Sequence, residues 1–283
     1  MKNVSKLFLE KARVPLFLIL SLFYFSCSEE ISQFSDAGKF DVDALQQKAR
    51  VYSNQLSEEL KSLEDGSSKL QYISNYSKTD LFEEIHYANP FARENEGDSI
   101  VSVNYDSLLT NEHASTWYES FSQLNFSPQN QEELSLFLQE EITRLNKDET
   151  IPDQELAELL TYLIAFQTSI DFMSENQELM DTLIAEFKAN YSATRGGTDP
   201  PNFWTYVGGA GLYGAAQGAG FGFAIGVFFP PSEAVTVPLG TFFGFFAGVV
   251  GGSTIWYAVY ANADCENEDP SIDCGEEDGE NQN

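Results

Sequence analysis

Glycine recurs at every fourth position in two stretches of this 283-residue chain: Gly214, Gly218, Gly222 and Gly226, then Gly240, Gly244, Gly248 and Gly252. Inside a helix exposed to water each glycine costs about 1 kcal/mol relative to alanine, so eight at this period oppose helix formation unless close packing compensates. A spacing of four puts each set on one ridge of a helix. Two bare ridges let two backbones approach, which strengthens dispersion contacts and weak Cα–H···O bonds. The ladders sit in two charge-free runs, 203–229 and 235–261, each of 27 residues. At about 1.5 Å per residue either run exceeds the roughly 30 Å hydrocarbon core of a bilayer. Pro230-Pro231-Ser232-Glu233 breaks the backbone between them, and Pro238 suits the first turn of a second helix. The pattern predicts an antiparallel helical hairpin over 203–261, with Phe221, Phe223, Phe228, Phe242 and Phe245 on other faces, where they can meet lipid. Phe203, Trp204 and Tyr206 enter the first limb and Trp256, Tyr257 and Tyr260 leave the second, so both clusters fall at one depth, as in an interfacial aromatic belt. The competing readings are a water-soluble domain that buries the hairpin and a β-prone glycine/aromatic segment.

The preceding part of the chain differs sharply in composition. Residues 27–202 carry 33 acidic against 11 basic side chains, whereas Glu233 is the only charged residue between Asp199 and Asp264. Apolar residues at helical spacing (Leu45, Tyr52, Leu56, Leu60, Leu63), with Asp41 or Asp43 as a cap, predict a helix over 41–64 that ends near Gly66. Shorter helices are expected at 67–74 and 78–87, and Ile100 to Tyr105 fits either a strand or an extended connection. Three further helices are expected: 127–146, burying Leu134, Leu136, Phe137 and Ile142; 152–173, opened by Pro152; and 176–191. Their wide apolar faces must be buried against one another. The fold class expected is therefore mostly α, an acidic helical bundle over 40–192 followed, after a glycine/proline linker at 193–202, by the glycine-zipper hairpin and an acidic tail at 262–283.

At the N-terminus, Lys2, Lys6, Lys11 and Arg13 precede an apolar stretch from Val14 to Phe25, so residues 1–26 read as a signal peptide. Tyr24-Phe25-Ser26-Cys27 resembles the lipobox of bacterial lipoproteins, which implies lipidation of Cys27, a tether over 27–39 and a place in the cell envelope. Tyr24 stands where that motif usually has an aliphatic residue. The alternative is an ordinary secretory signal. Ser28-Glu29-Glu30 resembles the tripeptide that directs some lipoproteins to the cell surface. With Cys27 assigned to lipid, Cys265 and Cys274 remain as an even pair in a chain that has left the cytoplasm, which predicts a small disulfide loop; a metal site there lacks further soft ligands.

The lipobox together with the two ladders resembles the glycine-zipper outer-membrane lipoproteins, in which a lipidated cysteine accompanies a two-helix hairpin of Gly-xxx-Gly repeats. The likeness covers 14–30 and 207–260. Those proteins are generally small, whereas this chain places a large acidic domain between anchor and hairpin. The resemblance implies association with membrane lipid and with other envelope components or with further copies of the chain.

A formal charge of −29 from 44 acidic and 15 basic residues excludes a binder of duplex nucleic acid. No nucleophile elbow, His-Glu-x-x-His or phosphate loop is present. Glu83 and His86 have the Glu-x-x-His spacing of di-iron bundles, but His113 supplies no second copy and reads as a surface histidine. In the acidic tail Asp269 stands where a calcium loop needs glycine. No catalytic residue, metal or cofactor is expected. Two function classes follow: a structural or interaction lipoprotein, and a toxin-like membrane-permeabilising protein in which Arg195-Gly196-Gly197 is a processing point that releases the hydrophobic C-terminal part.

Overall fold

The computed structural model describes residues 38–75, 111–124, 126, 130–190, 202–221, 228–229 and 235–260. Among these it is mostly α, with eight helices: α1 Val42–Ser62, α2 Gly66–Ser74, α3 Glu112–Ser122, α4 Gln131–Asn146, α5 Asp153–Glu175, α6 Gln177–Asn190, α7 Phe203–Phe221 and α8 Leu239–Val259. The expected segments 1–26, 78–87 and 100–105 lie outside the described residues.

Local chemistry sets the boundaries. The Asp41 carboxylate accepts from the Ala44 amide at 3.0 Å and opens α1, which buries Leu45, Ala49, Tyr52, Leu56 and Leu60 along one stripe. The helix stops at Ser62 rather than near Gly66. Asp65 accepts from the Ser68 amide at 2.6 Å and caps a new helix, so Gly66 is an opening residue, not a terminator. A side chain there would also crowd α6, since a Cβ would lie 2.8 Å from the Glu186 Cβ. Helix α3 was not anticipated. Asn111 starts it by accepting from the Ala114 amide at 3.0 Å, while its amide group donates to the Glu155 carbonyl at 2.8 Å. In α4, Leu134, Leu138, Ile142 and Leu145 are buried, but Leu136 is 61% exposed, against the expectation that it is buried. Two residues from Leu134 and from Leu138, it lies about 200° round the helix from both.

Helix α5 is buried on nearly all sides, from Leu156 to Met173. Its buried hydroxyls are satisfied within the helix: Thr161 donates to Ala157 O at 2.8 Å, Thr168 to Ile164 O at 2.7 Å and Ser169 to Ala165 O at 2.6 Å. Helices α1 and α4 flank it, joined by a cluster in which Gln46 donates to Gln139 and Gln167 at 2.8 and 3.0 Å and Gln167 donates to Gln139 at 3.1 Å. Asn146 fixes the start of the described chain, accepting from the Phe40 amide at 2.9 Å and donating to its carbonyl at 2.8 Å. Helices α7 and α8 form an antiparallel pair, and α8 also packs on α5, α6 and α2. Their apolar residues join those of the bundle in a single hydrophobic cluster.

Candidate functional site: the glycine-packed hairpin

The two ladders meet face to face. A Cβ placed on Gly214 would lie 2.1 Å from the Gly244 carbonyl oxygen, and one on Gly244 would lie 2.2 Å from that of Gly214. One step along, a Cβ on Gly218 would be 2.0 Å from the Gly240 oxygen and 2.9 Å from the Gly244 Cα. A side chain on Gly248 would come within 2.2 Å of the Ala210 oxygen, and one on Gly252 within 2.6 Å of the Ala210 Cβ. Except for the Ala210 Cβ these are backbone atoms, and alanine has no rotamer to change, so no side-chain movement can relieve an added methyl group. Gly222 and Gly226 lie outside the described residues.

Two contributors extend the ladder beyond the predicted glycines. Ala210 stands four residues before Gly214 and takes the ladder's next position, opposite Gly248. The signal for it was small size at the same period, which a search for glycine alone passes over. Gly211 is bare for another reason, since its Cβ would meet the Phe245 ring at 2.7 Å and Val249 Cγ2 at 2.9 Å.

At the open end of the hairpin the two predicted aromatic clusters come together. Phe203 contacts Trp256 edge-on at 5.0 Å and Tyr257 at 5.2 Å, and Tyr206 contacts Tyr260 at 6.5 Å. The turn end is closed by a backbone bond from the Phe228 amide to the Val237 carbonyl at 2.8 Å. Phe228 then stacks on Phe242 at 4.9 Å with their planes 8° apart.

The large side chains face protein in this structure rather than an open surface. Phe228 and Phe242 are 0% exposed and Phe245 is 1% exposed. Phe245 packs on Tyr162 and Phe166 of α5, Phe246 on Phe172 of α5, and Phe243 on Tyr52 of α1. The physical reason is the surplus of apolar surface on α5, which α1 and α4 do not fully cover and which α8 completes. The side chains of Phe221 and Phe223 are outside the described residues. Among the described helices α8 is the one long and apolar enough to cross a bilayer, and 83% of its most apolar window is buried in the protein.

Polar contacts tie the hairpin to the bundle at both ends. Near the turn, Lys48 of α1 donates to the Phe228 carbonyl at 2.6 Å with its ammonium 5.6 Å from the Phe228 ring centroid. The Gln154 side chain brackets Thr236, donating to its carbonyl at 2.9 Å and accepting from its amide at 3.0 Å. At the open end Tyr118 donates to the Thr205 carbonyl at 2.9 Å. Midway, Ser253 donates to the Met173 sulfur at 2.9 Å.

Cys27, Cys265 and Cys274, His86 and the acidic tail lie outside the described residues. His113 is at the surface, 3.8 Å from Glu155. No group of three or more metal-ligating side chains occurs among the described residues. Comparison with family models, with curated proteins and with solved structures gives no match.

Proposed function

We propose that the chain is a cell-envelope lipoprotein with a structural or interaction role and no catalytic one. In this reading Cys27 carries an acyl anchor in the outer membrane, and the acidic bundle is held beside the bilayer where an envelope protein or a second copy can meet it. The glycine-zipper hairpin is stored in the bundle and can pass into the lipid. One observation carries the reading. The hairpin's two helices hold each other through the backbone contacts of Gly214 with Gly244 and Gly218 with Gly240. Those contacts join two charge-free helices, so they can persist when the outer surface of the pair exchanges protein for hydrocarbon. The likeness to glycine-zipper outer-membrane lipoproteins points the same way.

The stored hairpin also favours the second reading, a toxin-like protein that permeabilises a membrane. The two readings differ in consequence, because an anchored structural protein leaves vesicle contents in place.

Fractionation of cells expressing the native chain and Cys27→Ala, with mass analysis of the mature N-terminus, tests the anchor. The native protein should carry an acyl chain and sediment with membranes, and the variant should move substantially to the soluble fraction. An unmodified native chain, with the variant equally membrane-bound, would contradict it.

A further inference from the structure

The ends of the hairpin are not equivalent. Turn-first passage into a bilayer carries across a break whose one charge is Glu233, whereas passage by the open end carries Arg195 and Asp199 or the tail from Asp264 onward, with its nine carboxylates. Charged groups are costly in hydrocarbon, so the turn is the end that can lead. The bundle grips that end with side chains from α1, from α5 and from the segment before α1. Lys48 holds the Phe228 carbonyl and lies against its ring, Gln154 pairs with both backbone groups of Thr236, and Phe40 packs edge-on against Phe229 at 5.0 Å. Phe228 and Thr236 stand on either side of the break, at the backbone bond from Phe228 to Val237 that closes it.

Resting on the membrane reading above, we propose that Lys48 and Gln154 form a catch on the hairpin turn, and that transfer to a bilayer begins when these two side chains let go. The ammonium–carbonyl bond is charge-assisted and shielded by the Phe228 ring, which makes it the stronger part. The Gln154 amide sets the direction of the returning strand by engaging both an N–H and a C=O. Neither contact is part of the glycine packing. The catch can therefore open with the hairpin intact.

The test uses the full mature chain and phosphatidylcholine vesicles carrying a photoactivated apolar reagent confined to the bilayer. Labelling of α8 is followed in time. Lys48→Met and Gln154→Ala should each accelerate labelling, the first by about tenfold, as expected from loss of one charge-assisted hydrogen bond. Lys48→Arg, which keeps a charged donor, should restore the native rate. Tyr118→Phe, which removes the open-end bond, should stay within about twofold of native at matched thermal stability. Equal acceleration by the turn and open-end variants would overturn the catch, as would a native rate in Lys48→Met while the native chain is itself labelled. If neither the native chain nor any variant is labelled although vesicles are bound, the insertion reading fails first and the catch with it.

Discussion

Alanine at Gly218 or Gly244 tests the ladder at the scale of single residues. The substitution improves helix propensity by about 1 kcal/mol. Against this, the new methyl group would sit 2.0 Å from the Gly240 oxygen or 2.2 Å from the Gly214 oxygen, so the two helices must separate. Overpacking of a rigid contact costs about 1–3 kcal/mol or more, and here it also loosens the neighbouring ladder contacts. The net expectation is a loss of about 2 kcal/mol, lowering the melting temperature by about 4–8 °C. Gly208 of α7 is the control, because its Cβ would meet ring atoms of Phe121 at 3.3 Å and Phe166 at 3.5 Å, distances that ask for at most a few tenths of an ångström of movement. Gly208→Ala should therefore leave the melting temperature nearly unchanged. The ladder itself was legible in the sequence because its period and its duplication can be read directly. Ala210 was not, because its role depends on the register that Gly248 imposes.

At the scale of elements, caps and stripes placed α1, α4, α5 and α6 close to where they lie, since Asp41, Pro152 and the recurrent leucines act locally. Helix α3 does carry a signal, with Asn111 as cap and Ala114, Trp117, Tyr118 and Phe121 at i, i+3, i+4 and i+7, but it spans only eleven residues, so the period completes just two turns. The pairing of α1 with α5 brings a further consequence. Burial pushes the Asp171 carboxyl above the ordinary carboxylate range, Arg50 pulls it partly back and Glu175 adds to the rise. A folded-state pKa above the unfolded one means that ionised Asp171 opposes folding. The penalty is absent below the ordinary carboxylate range and grows to its full value as pH rises through the raised pKa. Asp171→Asn should thus raise the melting temperature at about pH 7 and change it little at about pH 3. Melting both proteins across that range checks the sign. Asp65 and Asp148 have the opposite sign: hydrogen bonds to Ser68 and to Thr150 hold their carboxyls below the ordinary range. Their stabilisation is present above that range and is lost as pH falls through their lowered values.

For the whole molecule, the sequence left open what covers the hairpin, because a helix with no polar face is equally suited to lipid and to a protein core. The clue lay elsewhere in the chain. Helix α5 is buried on nearly all sides, so a bundle built from α1, α4 and α5 alone would leave part of Tyr162, Phe166 and Phe172 facing water. In the structure α8 fills that place, and the hydrophobic cluster runs from Phe40 through α5 to Tyr260. The acidic residues of the bundle then surround a charge-free centre, which accounts for a strongly acidic chain that still has a packed core. Hydrogen exchange of the mature chain, followed before and after addition of phosphatidylcholine vesicles, tests this arrangement most directly. In water the amides of α8 should be among the slowest to exchange, opening only with global unfolding. With vesicles α8 should stay protected while α5 and α6, the bundle helices it packs on, lose protection as the hairpin leaves them. Fast exchange of α8 in water, or unchanged protection of α5 and α6 once vesicles are bound, would contradict the account.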